Sequence, residues 1–304
     1  MLKTMLLPAI MAGLAAACAP WAADAPAAVT SAALTDSNDA DPALFVVEDE
    51  DTTLYLFGTV HLLRPDIVWF DDAVKDAFDA SDRLIIEAPE PAPEEAQRLV
   101  MLGIDPAGTP LSETLSPDAY AELEAILAEF GVPPTQFEAF DPWLVGINLA
   151  GLQFRKLGMS PDTGAEKVLL AAAAERNLPV SGFETAAQQM RLFDDMSEAD
   201  QVRFLEEGLD EFAESETMIT RMMDAWRTGD MTALAALMNE GMTDPALRAR
   251  LLTDRNANWA VQIDELLDAP GTIFIAVGAG HLGGEGSVQD YLAQRGISVR
   301  RVDY

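Results

Sequence analysis

Two apolar runs of β character, Thr53-Leu54-Tyr55-Leu56-Phe57 and Thr272-Ile273-Phe274-Ile275-Ala276-Val277, each lead straight into a Gly-x-x-His tetrapeptide. The first closes on His61 and the second on His281, and these are the only two histidines among the 304 residues. A buried strand carries the backbone to a sheet edge, the glycine allows a tight turn, and the imidazole then lies beside the carboxyl ends of the strands. Open α/β sheets place their sites at that edge. The repeat predicts two such units facing one cleft.

The rest of the chain fits a sheet interrupted by helices. Residues 43–47 and 54–57 flank the acidic turn 48–51 and predict a hairpin. A short helix over 71–80 precedes a third strand, Arg83-Leu84-Ile85-Ile86, which ends at Glu87. Strand, helix and strand suit a parallel crossover. From about 92 to 165 the chain turns helical. Ser116-Pro117 opens a helix reaching Phe130, and 140–157 is another apolar helical stretch. Thr163-x-x-Glu166 reads as a capping box for the Ala-rich helix through Arg176. Residues 178–184 return to the sheet, where Pro179 argues for its edge or start. A long acidic helix covers 197–227, and shorter helices follow to 267. A final helix within 286–296 and a last strand over 297–302 complete the order. The fold class expected is α/β: a central, mostly parallel sheet with helices on both faces and a large helical insertion.

Residues 1–23 read as an export leader, with Lys3 ahead of an apolar stretch shorter than a membrane span. The only cysteine, Cys18, closes Leu14-Ala15-Ala16-Ala17-Cys18, which resembles a bacterial lipobox and would attach the protein to a membrane through lipid. Cleavage after Ala17 is the competing reading. Residues 24–42, rich in Ala, Pro, Ser and Asp, read as a flexible tether to a single domain over 43–304. The expected location is the periplasm or, as a lipoprotein, the outer membrane. A formal charge of −32 repels phosphate backbones and disfavours nucleic-acid partners. Oligomeric state is not legible in the sequence.

Two imidazoles and a carboxylate form a common ligand set for a divalent metal with an open position for water. His61, Glu87 and His281 each follow an apolar strand, so a parallel sheet brings them to one edge. Glu184, beyond a fourth strand, is a second carboxylate, either ligand or general base. Arg255 and Asn256, one turn before Trp259, form either an exposed helix face or an oxyanion-stabilising pair. Glu87 has a bland reading too, as a helix cap or as an ion-pair partner of Arg64 or Arg83. Cysteine catalysis is excluded from the body, and no Gly-x-Ser-x-Gly elbow is present.

Taken in order, Gly58-Thr59-Val60-His61-Leu62, Ile86-Glu87, Gly182-Phe183-Glu184-Thr185 with Gln189, Trp226 near Gly229-Asp230, Arg255-Asn256-x-x-Trp259 and Val277-Gly278-Ala279-Gly280-His281-Leu282 resemble the TraB/PrgY/GumN family. The resemblance spans about 43–304. It implies a fold similar to the erythromycin-esterase and ChaN-like proteins, and a kinship with the Tiki metalloproteases, which use manganese or cobalt. Carried over by motif, the implied metal residues are His61, Glu87 and His281, with Arg255 and Asn256 in support. The expected activity is a metal-dependent hydrolase, a peptidase using Mn, Co or Zn on a peptide or other small substrate. The alternative is a non-catalytic envelope protein that binds a peptide, haem or saccharide.

Overall fold

The computed structural model describes residues 38–242 and 244–304. The expected leader, Cys18 and residues 24–37 of the expected tether lie outside the described residues. Residues 38–42 pack on the body: Ala40 is buried and its N–H donates to the Val68 carbonyl at 2.9 Å.

In chain order the elements are β1 (Leu44–Glu48), β2 (Thr52–Thr59), α1 (Asp72–Ala80), β3 (Arg83–Ile86), α2 (Pro93–Val100), α3 (Leu111–Thr114), α4 (Pro117–Glu129), α5 (Pro142–Lys156) and α6 (Ala165–Arg176). They continue with β4 (Val180–Gly182), α7 (Ala186–Asp194), α8 (Glu198–Arg227), α9 (Met231–Gly241), α10 (Pro245–Arg248), α11 (Asp254–Leu266), β5 (Gly271–Gly278), α12 (Val288–Gln294) and β6 (Arg300–Arg301). Among the described residues no helix is long and apolar enough to cross a membrane.

The sheet runs β4-β3-β5-β2-β1-β6, with β4, β3, β5 and β2 parallel and β1 and β6 antiparallel additions. The hairpin forms where the acidic turn predicts it, because the Asp49 carboxylate accepts from the Thr52 N–H at 2.8 Å and closes the corner. β5, late in the sequence, sits between β2 and β3, with Thr59 opposite Gly278 and Ala276 opposite Ile86. This register levels the carboxyl ends of the parallel strands. β4 is an edge strand, as Pro179 requires, with the Pro179 carbonyl accepting from the Leu84 N–H at 2.9 Å. The last strand is shorter than expected: only Arg300 and Arg301 pair with β1.

Alternating strand residues serve two cores. Leu54, Leu56, Ile273, Ile275 and Val277 face α11 and α12 through Trp259, Ile263, Val288 and Leu292. Phe57, Leu84, Ile86, Phe274 and Ala276 face the larger helical layer. There Phe57 stacks on Trp69 at 5.3 Å, and the methionines of α8 and α9 (Met218, Met222, Met223 and Met238) fill the space between helices. Helices thus cover both faces unequally. The thirty-residue α8 starts at Ser197, whose hydroxyl accepts from the Asp200 N–H, and near its end the Trp226 indole donates to the Gly58 carbonyl at 2.8 Å. That bond ties the helical layer to β2 three residues before His61.

Candidate metal centre

Leu54 to Phe57 lie buried or half-buried between the two helical layers, and the chain leaves β2 at the sheet edge with His61 buried. Glu87 follows β3 directly, Glu184 comes two residues after β4, and His281 three after β5. All four therefore collect at one edge. The glycines of the two tetrapeptides work differently from the turn expected of them. Gly58 and Gly278 are the penultimate and last strand residues of β2 and β5, and neither has a positive φ. They are needed for close approach: a Cβ on Gly278 would lie 2.9 Å from Glu87 Oε1, and one on Gly58 would lie 3.0 Å from the Ala279 backbone.

Glu87 is the hub. Its Oε1 accepts from the Gly278 N–H at 2.6 Å and lies 3.6 Å from His281 Nε2. Its Oε2 accepts from Arg255 Nη2 at 2.7 Å and from Gln189 Nε2 at 2.8 Å. The expected ion-pair partners are thus replaced: Arg64 pairs with Asp66, and Arg255 holds Glu87. Burial pushes the Glu87 carboxyl up, opposed by the Arg255 charge and reinforced by Glu166.

Arg255 and Asn256 are buried, not on an exposed face. Residues Ala249–Thr253 wind as a π-helical turn between α10 and α11, a distortion that recurs at functional sites. From it Arg255 reaches inward. Nη1 donates to the Leu251 carbonyl and to His281 Nε2, both at 3.1 Å. Nε and Nη2 grip Glu184 at 2.9–3.1 Å. The other donor on Glu184 is the Trp259 indole at 3.0 Å. Burial works against the guanidinium charge, but Glu87 and Glu184 outweigh it and raise its pKa. Both oxygens of Glu184 are thereby engaged in anchoring Arg255.

The histidines are fixed alike. Asn256 spends its NH2 on the Gly286 carbonyl at 2.7 Å, so its Oδ1 faces His281 Nδ1 and requires a proton there. Arg255 can only donate, so His281 Nε2 carries the lone pair. His281 is fully buried, and burial, then Arg255 and His61, hold its pKa well below the usual value. It is a neutral imidazole. His61 Nδ1 likewise meets Glu166 Oε2 at 2.7 Å, the carboxylate–imidazole pairing that orients metal-binding histidines.

Glu166 is the site residue that the sequence reading assigned elsewhere. The capping box does not form: Gly164 is the N-cap of α6, and the Thr163 hydroxyl donates to the Leu63 carbonyl at 2.6 Å. Freed from capping, the Glu166 carboxylate turns to His61 and the Thr59 hydroxyl. His61, Glu87 and Glu166 each place a ligand atom within 4.8 Å of the others, a cluster that could hold a metal ion. His281 lies beside it, with Arg255 on its lone pair. The donor set suits a divalent cation. Glu87, Glu166 and Glu184 face one guanidinium and two imidazoles, so the acids outnumber the permanent positive charge in a largely buried space. A divalent ion balances that excess, which burial otherwise makes costly.

A model of the TraB/PrgY/gumN family matches residues 43–301. The chain belongs to this family. It is 25% identical over 266 residues to the uncharacterized protein YbaP of Escherichia coli (strain K12), covering 86% of this chain and 96% of that one. An uncharacterized protein of Treponema pallidum (strain Nichols) is 22% identical over 260 residues, covering 80% and 77%. No solved structure matches. The match spans every motif from Gly58 to Leu282, and the fold brings His61, Glu87, Glu184, Arg255 and His281 together at the carboxyl edge of the parallel strands.

Proposed function

We propose that this protein is a metal-dependent hydrolase of the cell envelope that acts on peptide bonds. The observation that carries the reading is the buried His61–Glu87–Glu166 cluster with a guanidinium and a neutral imidazole against its central carboxylate. His61, Glu87 and Glu166 would hold the ion, and nitrogen and oxygen donors do not choose among Mn, Co and Zn. Such an ion supplies Lewis acidity and lowers the pKa of a water.

The remaining work falls to the chain's own groups. Without the ion Glu166 holds His61 at Nδ1, a contact that the ion would take over. Asn256 holds His281 as a neutral ring whose Nε2 lone pair accepts from Arg255. Arg255, its N–H groups committed to Glu184, Glu87, Leu251 and His281, adds a fixed positive charge beside Glu87, and Glu184 with Trp259 keeps it in place. An exported location, with attachment through Cys18 where the lipobox is used, completes the reading.

Purified protein titrated with Mn²⁺, Co²⁺ and Zn²⁺ is expected to bind about one ion, and H61A or E166Q to weaken binding at least about tenfold. A peptide library should be cut only when the ion is present. Unchanged ion binding in an H61A/E87Q double variant overturns the ligand assignment. Ion binding with no new amine termini turns the assignment to the non-catalytic binding protein.

A further inference from the structure

Arg255 is bonded by a set of groups that itself resembles a metal site. Its donors meet the carboxylates of Glu184 and Glu87 and the Nε2 lone pair of His281. Two carboxylates and an imidazole are donors of the same kind as His61, Glu87 and Glu166, but held apart around the guanidinium they do not converge within 4.8 Å as that cluster does. Glu87 belongs to both, one carboxylate between two positions for positive charge. Sites with two metals use a shared carboxylate in this way, with ions about 3.5–4 Å apart.

We propose that the Arg255 guanidinium is a built-in second cation, filling a latent metal position formed by Glu184, Glu87 and His281 and so keeping the site to one ion. The inference rests on the reading of His61, Glu87 and Glu166 as the ion's ligands. Several features fit a cation that stays put. Arg255 is buried, its Nε and Nη2 are clamped by Glu184, Nη1 also bonds the Leu251 carbonyl, and its Cζ lies 4.6 Å from the Trp259 ring centre. A guanidinium keeps its charge at every working pH and, unlike a metal ion, cannot be lost to a chelator. Glu184 then serves as the anchor of a fixed charge, a positioning residue outside the resident ion's ligands.

The test is the number of ions bound, by calorimetry and elemental analysis with Mn²⁺. Mn²⁺ spin coupling in electron paramagnetic resonance reports whether two ions are adjacent. Wild type is expected to bind one ion, R255A two coupled ions, and R255A/E184Q one again. R255K, which keeps a cation without the fork, and E184Q in the wild-type background are both expected to bind one. Circular dichroism verifies that each variant is folded. A folded R255A that takes one ion overturns the inference and leaves the His61–Glu87–Glu166 reading standing. Two ions in R255K, or none in E184Q, overturn it as well, and these outcomes keep the inference refutable if R255A does not fold. A wild type that binds no ion overturns the underlying reading, and the inference falls with it.

Discussion

Asn256 holds His281 in one tautomer, so N256A should free the ring at a stroke. We expect a loss of about 10–100-fold in turnover, with the His281 ¹⁵N shifts moving toward a mixture of tautomers. Unchanged shifts would place the tautomer lock elsewhere. Gly278 offers a second test, since an added methyl would press on Glu87 Oε1. G278A should weaken ion binding about tenfold or more while lowering stability by about 1–3 kcal/mol, the usual range for overpacking. At this scale the sequence was informative about identity and less so about role. His61, Glu87, Glu184 and His281 could be placed at one sheet edge because each follows an apolar strand, whereas Arg255 and Asn256 stood between an exposed helix face and the site and were drawn to it by the family resemblance. Glu166 was not legible. A glutamate three residues after a threonine at a helix start is a local capping signal, and only the fold shows that Thr163 bonds Leu63 and that the carboxylate meets His61.

Helix starts carry the element-scale consequences. Asp141 is the N-cap of α5, yet its side chain makes no capping bond. Burial first, then the charges of Asp105, Asp194 and Glu198, raise its pKa to about 6. A carboxyl raised on folding binds more protons in the native state, so it contributes stability below its unfolded pKa and loses it as pH rises through about 6. D141N should remove that loss. We expect about 1 kcal/mol of added stability at pH 7, less than the whole shift implies because the group is partly solvated and the helix N-terminus favours its charge. The gain should vanish below about pH 4, where Asp141 is protonated in both states. Urea melts of both proteins at pH 4 and pH 7 measure the difference; an equal gain at both values would exclude the linkage. Strands and long helices were readable from period and punctuation, as at Ser116-Pro117 and Ser197. The π-helical turn before Arg255 was not, since nothing in Ala249–Thr253 departs from an ordinary helical pattern.

For the whole molecule, the charge of −32 sets the behaviour in solution. Self-repulsion opposes compaction and is screened by salt. The melting temperature should therefore climb by several degrees, roughly, between about 0.05 M and 1 M NaCl. A flat or falling response would mean that the acids are locally compensated. The α/β class was evident from the alternation of apolar runs and helices, but the strand order was not. Pairing between β2 and β5 joins segments some two hundred residues apart, and no local signal encodes which neighbour a buried strand takes. That order has a bearing on how the protein is made. Because β5 is the middle of the sheet and is synthesised long after β2 and β3, a nascent chain must wait with those two strands unjoined. Their bare edges are the surfaces most prone to pair with another chain during that interval. The same delay means that a chain stopped before residue 271 would lack its central strand and one of the three hydrogen bonds that hold the Glu87 carboxylate, a defect at the middle of the scaffold instead of its fringe.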